Sequence, residues 1–264
     1  MIEIDSDIIR NMVAKNRRID HRKFDEYRKI SIEIGVVKSA EGSARVKLGD
    51  TDVIAGVKID IGTPYPDTPD EGALSVAAEL LPLASPEFES GPPGENAIEL
   101  ARVVDRAIRE SKAIEFEKLC IEPGKKVWVV YVDIDVLDDD GNLIDACGIA
   151  AVSALLTAKI PKIEKEGDDY KVDYEVKDKH FPMMGIPVST TIVKIGDSII
   201  TDPNLAELHA MDSRLTVGTL EGHICSMQKG GSGGFSVEEV EKIVDMAEKK
   251  GNELRKIIDV HVRK

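Results

Sequence analysis

VWVVYVDIDVL (Val127–Leu137), DDDG (Asp138–Gly141) and ACGIAAVSALLTAK (Ala146–Lys159) decide how this chain folds. The first run is rich in β-branched and aromatic residues and reads as a buried strand. The acidic, glycine-ended run is a turn. The third is small and apolar over helical length, and Pro161 closes it. A strand, a glycine turn and a helix N-terminus can form an anion pocket, because free backbone N–H groups and the helix dipole point at the turn. Here the turn leads into Leu143, Ile144 and Asp145. Two aliphatic side chains cannot donate to a phosphate, and a carboxylate repels one.

Working outward, Asp5 or Ser6 can cap a first helix over 7–17, with Ile8, Ile9, Met12 and Val13 as a narrow apolar stripe. Strands follow at Ile30–Val37, Gly42–Leu48 and Asp52–Asp60, the last two joined through a turn at 49–52. A Pro-rich loop (62–72), a strand (Leu74–Leu81) and a Pro/Gly loop (85–96) precede the clearest helix, Ala97–Ile114. A second cycle starts at Lys126. It comprises the strand and helix quoted above, strands near 170–176, 187–195, 197–201, 212–219 and 222–228, and a helix over 236–259. Ser236 with Glu239 is a capping box for that last helix. The order predicts an α+β fold of two similar β/α halves sharing one core. No linker separates them, so residues 1–264 are expected to form a single domain.

Bulk properties narrow the function. The 264 residues, 42% hydrophobic, can bury a sizeable core. No run of about 18 apolar residues would span a membrane. The first residues lack the pattern of a signal peptide, and Cys120, Cys147 and Cys225 sit isolated in apolar runs, as reduced core cysteines do. The expected compartment is the cytoplasm. A net charge of −14 argues against a general nucleic-acid binder, though a local basic patch or a partner's positive field can still meet RNA. A charged fraction of 32% points mildly to ion-pair networks.

The turn and the residues after it resemble the RNase PH family, which includes bacterial RNase PH, polynucleotide phosphorylase and the ring subunits of the exosome. In active members Asp-Gly-Gly is followed by Ser or Thr, then Arg, then a small-residue helix, and these groups hold the attacking inorganic phosphate. Along Asp140-Gly141-Asn142-Leu143-Ile144-Asp145-Ala146, Leu143 stands where the hydroxyl belongs and Ile144 where the arginine belongs. Active members carry a catalytic Asp just before a Met-Pro-Val-like strand start. The similar run Met184-Gly185-Ile186-Pro187-Val188 puts Gly185 there. A second acidic residue, expected six positions earlier, falls on Lys179, with Asp178 one position off.

Arg18-Ile19-Asp20-His21-Arg22 with Tyr27-Arg28 resembles the family's entry motif, so residues 1–28 would form an N-terminal helical extension ending in that motif. Asp202-Pro203-Asn204-Leu205-Ala206-Glu207 and Ile224-Cys225-Ser226-Met227-Gln228-Lys229 are similar to late motifs of inert exosome-ring subunits. The resemblance spans nearly the whole chain and lies with the non-catalytic subunits of the archaeal exosome ring. It implies the RNase PH fold and no cofactor. It also implies a catalytic RNase PH-type partner in a ring of three pairs, RNA-binding cap proteins, and single-stranded RNA as the substrate that the partner degrades from the 3′ end. An alternative stays open: the chain is itself a phosphorolytic exoribonuclease with a rearranged site, in which Asp178 or Asp202 holds a metal.

On the helix 97–114, Arg102, Arg106 and Arg109 fall within about 60° of one another. Arginine suits phosphate because its planar fork donates two parallel hydrogen bonds and stays charged. A solvated face with local ion pairs, such as Glu99 with Arg102, accounts for the same pattern. The resemblance implies that Arg102 and Arg106, and less strongly Arg109, meet the RNA backbone beside the partner's active site. Other motifs carry less. The glycine run 230–234 lacks the Gly-Lys-Ser/Thr ending of a P-loop and reads as a connector. Asp133, Asp135, Asp138, Asp139 and Asp140 lack the spacing of a calcium loop. The five histidines are too scattered for a zinc site, and no metal is expected.

Overall fold

The structure, a computed structural model, describes residues 6–167 and 169–262, with the side chain of Asp178 outside the description. The proposed Asp5 cap also lies outside it. The first helix, α1 (Ser6–Val13), ends four residues before the expected limit, and the chain turns at Asn16 with φ 55°.

The first half builds one sheet from β1 (Ile30–Ile34), β2 (Gly42–Leu48), β3 (Thr51–Gly62), β4 (Ala73–Leu80), β5 (Cys120–Glu122) and β6 (Lys126–Asp138). The order is β1-β2-β3-β6-β4, with β5 also paired to β6. β4 runs parallel to β6. Such a pair needs a long crossover, and α2 (Glu95–Glu110) supplies it. β6 buries one face only. Val130, Val132, Ile134 and Val136 are sealed, while Asp133 and Asp135 point away from the core.

The central helix, α3 (Leu143–Thr157), packs on β2 and β3 on one side and on the second sheet on the other. A helix apolar all round suits burial on every side, and its small residues admit close neighbours. A Cβ on Gly42 would collide with the carbonyl oxygen of Ala154. The helix starts three residues earlier than the sequence predicts. Gly141 (φ 86°) and Asn142 (φ 56°, ψ 43°) reverse the chain so tightly that Leu143, Ile144 and Asp145 already form its first turn. Pro161 does not act as the terminator: the helix stops at Thr157 and Pro161 lies inside β7 (Lys159–Glu166). β7 pairs with β8 (Asp169–His180), and the ladder shifts register on both sides of this proline, which has no N–H to give.

The second half orders β9 (Val188–Ile195), β10 (Ser198–Thr201), β11 (Ser213–Leu220) and β12 (His223–Gly230) as β10-β9-β11-β12, all antiparallel. Both faces are covered. Ile192, Leu215 and Val217 meet Ile243 and Ala247 of α5 (Val237–Val262). Val193, Ile195 and Ile200 meet α1 and Ala210 of α4 (Leu205–Ala210). α4 is a helix the sequence reading missed. Its signal was a capping box, in which Asn204 and Glu207 each accept from the other's backbone N–H at 3.0 Å. The architecture is the expected α+β pair of halves around one core, with an N-terminal helical extension.

Candidate functional site

A cleft of about 280 Å³ opens where the first turn of α3, the start of α2, α4 and the start of β11 converge. Leu143 and Ile144 form part of its wall, with Asn96, Glu99, Asn142 and Arg214. The turn beneath them is clamped. Arg28 donates to the carbonyls of Asp140 (2.7 Å) and Gly141 (3.0 Å), and Thr51 Oγ1 donates to Gly141 at 2.8 Å. No side chain among the described residues caps the first turn of α3.

Two buried carboxylates lie behind the cleft wall, both bonded to Asn142. Asp202 accepts from Arg22 Nη1 (2.8 Å), from Arg28 Nη2 (2.9 Å) and backbone N (2.8 Å), and from Asn142 Nδ2 (2.7 Å). Burial would raise its carboxyl, but Arg28 and Arg22 outweigh burial and hold it below the usual range. Asp145 accepts from Tyr27 (2.6 Å), Asn142 (2.9 Å), and Thr191 N (2.9 Å) and Oγ1 (2.7 Å). It has no cationic partner among the described residues, and burial pushes it up to about 6 despite those donors. A third pair, Arg18 with Glu207, is bidentate at 2.8 and 2.6 Å and sealed from solvent. Sequence reasoning singled out the segments holding these residues as motifs but did not pair them with one another.

The sequence-predicted positions divide. Leu143 and Ile144 meet in the cleft. Gly185 does not join them. A Cβ there would press on Leu220 at 2.8 Å, and its neighbour Met184 bonds Ala113, past the C-terminal end of α2. The cleft sits at the opposite end of that helix, beside Asn96 and Glu99, and the helix spans about 24 Å at 1.5 Å per residue. Gly185, expected at the position of the catalytic aspartate, thus lies away from this cleft. The Gly-Ile-Pro-Val run enters β9 at its far end. The acidic residues on the cleft wall are Glu87, Glu99 and Asp139. Asp202, the metal ligand of the alternative reading, accepts here from two arginines and an amide. Among the described residues no group of His, Cys, Asp or Glu is arranged to hold a metal.

On α2, Arg102 is exposed and has no partner among the described residues. The expected Glu99–Arg102 pair does not form. Glu99 instead accepts from Arg214 (2.8 Å) and Gln228 (3.2 Å). Arg106 donates to Gln228 Oε1 at 2.6 Å. Arg109 is held by both Asp105 oxygens (2.7 and 3.1 Å) and by Leu74 O (3.0 Å). The three arginines share a helix face, but only Arg102 is uncommitted.

The chain matches the family model of 3′ exoribonuclease domain 1 over residues 26–161 and of domain 2 over residues 185–250. It is 54% identical, over 98% of its length and 95% of the relative's, to the exosome complex component Rrp42 of Thermococcus gammatolerans. It is 51% identical, over 98% and 94%, to the protein of that name from Pyrococcus horikoshii. Among solved structures it superposes on a chain of the Archaeoglobus fulgidus exosome with RNA bound to the active site, with a TM-score of 0.88, 45% identity and coverage of 95% and 96%. An archaeal exosome core chain gives 0.84 at 41% identity, covering 96% of both.

Proposed function

The chain belongs to the RNase PH family of 3′ exoribonucleases, and on that footing we propose that it is a non-catalytic subunit of an archaeal exosome. It structures the active site of a catalytic RNase PH-type partner and helps hold single-stranded RNA for 3′-to-5′ phosphorolysis. In this reading three such pairs close a ring, on which RNA-binding cap proteins sit. Its likeness to an exosome component and to a chain of a solved archaeal exosome supports the assembly. One observation carries the inertness. Leu143 and Ile144 occupy the first turn of α3, where active members place a hydroxyl and a guanidinium, and the wall around them is acidic. A phosphate there would meet aliphatic carbon and carboxylates. The shared helix α3, packed by both sheets, supports treating 1–264 as one domain with residues 1–28 as its extension.

The RNA contact is assigned to Arg102 and Arg106. Arg102 is free to bind, and Arg106 can exchange its neutral Gln228 partner for a phosphate, a stronger charge-assisted acceptor. Arg109, already neutralised by Asp105, is the weakest of the three. The test is phosphate-dependent release of nucleoside diphosphates from single-stranded RNA. The purified chain alone should release none, and the partner should restore release. Appreciable phosphorolysis by the chain alone would refute the assignment.

A further inference from the structure

α2 crosses one face of the second sheet, and alternate residues of β11 and β12 point at it. Gly218 lies under Ala107, where a side chain would come within 3.4 Å. Arg214 stands opposite Gly230 in the β11–β12 ladder. A Cβ on Gly230 would lie 2.9 Å from Arg214 Nη2, so the bare glycine makes room for the fork. That fork reaches α2 and donates through Nη2 to Glu99 Oε1 at 2.8 Å. Its Nε is buried without a partner, which leaves Glu99 as the acceptor this guanidinium has among the described residues. Gln228 of β12 adds a second hook. Its Nε2 donates to the same Glu99 oxygen at 3.2 Å, and its Oε1 accepts from Arg106 at 2.6 Å. The amide is oriented by its neighbours: reversed, it would set its NH2 against a guanidinium and its oxygen against a carboxylate.

Glu99 and Arg102 are three residues apart on α2, a spacing at which opposite charges meet. They do not pair, because Glu99 is drawn to the sheet instead. The side chain of Arg214 is 16% exposed, whereas Arg102 stands open to solvent. A cation on an open helix face competes weakly, since water and salt screen it. We infer that Arg214 is a positioning residue for the RNA contact: it ties Glu99 to the sheet and so keeps the guanidinium of Arg102 free for phosphate. The inference rests on the assignment of Arg102 and Arg106 to RNA. Released from Arg214, Glu99 would fall back on Arg102 and place a carboxylate where the phosphate has to sit. Gln228 serves the same end. Being uncharged, it holds Arg106 without cancelling its charge, unlike Asp105 at Arg109.

The test is binding of a labelled single-stranded oligoadenylate to the chain assembled with its catalytic partner, at several salt concentrations. Inorganic phosphate is left out so that the strand stays intact. Arg214→Met keeps an apolar stem over Gly230 and removes the charged fork. It should flatten the slope of log affinity against log salt by about 0.7 and weaken binding by about fivefold at about 0.1 M salt. Arg102→Gln alone should do the same. In the Arg102→Gln background, Arg214→Met should flatten the slope no further, whereas mere loss of a surface cation would add to it. Glu99→Gln should restore the slope in the Arg214→Met chain. A circular-dichroism melt verifies folding, and Arg214→Leu stands in if the methionine variant fails it. A slope untouched by the Arg214 variant while Arg102→Gln flattens it, losses from the two that add, or no recovery with Glu99→Gln would overturn the inference and leave the RNA assignment standing. A slope that Arg102→Gln does not change removes that assignment itself, and the inference with it.

Discussion

The hydroxyl of Tyr27 donates to the carboxylate of Asp145 at 2.6 Å and so ties the N-terminal arm to the first turn of α3. Because burial holds that carboxyl near 6, against an ordinary 3.8, the folded chain binds its proton more tightly than the unfolded chain does. Stability at this site therefore rises as pH falls from 6 to 4. The cost is fully present above pH 6 and is on the order of 3 kcal/mol. Asp145→Asn should flatten the pH dependence of urea unfolding between pH 4 and 7. Equal slopes for wild type and variant would contradict this.

Asp202 is expected to matter more for folding. Asp202→Ala strips the acceptor shared by Arg22, Arg28 and Asn142, and leaves two guanidinium groups in the interior. Breaking one side of such a buried network costs about 3–5 kcal/mol. Denaturant titration should show a loss of that order, and a loss under about 1 kcal/mol would mean that water reaches the arginines.

Two glycines of the same region should respond in opposite directions. At Gly141 the backbone has φ +86°, and a Cβ would lie 2.5 Å from the N of Leu205. Gly141→Ala should cost about 1–3 kcal/mol and displace α4. Gly148, inside α3, has nothing within 4 Å of its Cβ position. Gly148→Ala should gain about 0.5–1 kcal/mol from helix propensity. Thermal melts of the two variants provide the comparison.

RNA affinity of the assembled complex should fall for Arg102→Glu and Arg106→Glu, and the slope of log affinity against log salt should flatten by about 0.7 per lost contact. Arg109→Ala should change the slope least, since Asp105 already neutralises this arginine. An unchanged slope in all three would remove RNA contact from α2.

Much of this was legible in the chain. Gly42–Leu48 matches β2 residue for residue, because alternating small and β-branched residues end at a glycine turn. α2 and β6 are long and strongly patterned. β7 escaped notice because its sequence, KIPKIEKE, is charged and contains a proline. α4 escaped because six residues hold too few turns to show a period. The start of α3 was misplaced by a left-handed asparagine that propensity does not foretell. The separation of Gly185 from the cleft was not legible, because a motif gives the order of residues but not which end of a strand faces the cleft. The buried network was hidden for another reason: its partners lie 118 residues apart for Tyr27 and Asp145, and 189 for Arg18 and Glu207.

α3 belongs to both halves, and its N-terminal turn carries Leu143 and Ile144. Mutations that erase chemistry at the mouth of this helix leave its body untouched, because a different set of residues holds the body in place. A lineage can therefore discard the reaction and keep the architecture. A pocket at such a helix mouth would then persist as a shaped surface whatever chemistry it holds.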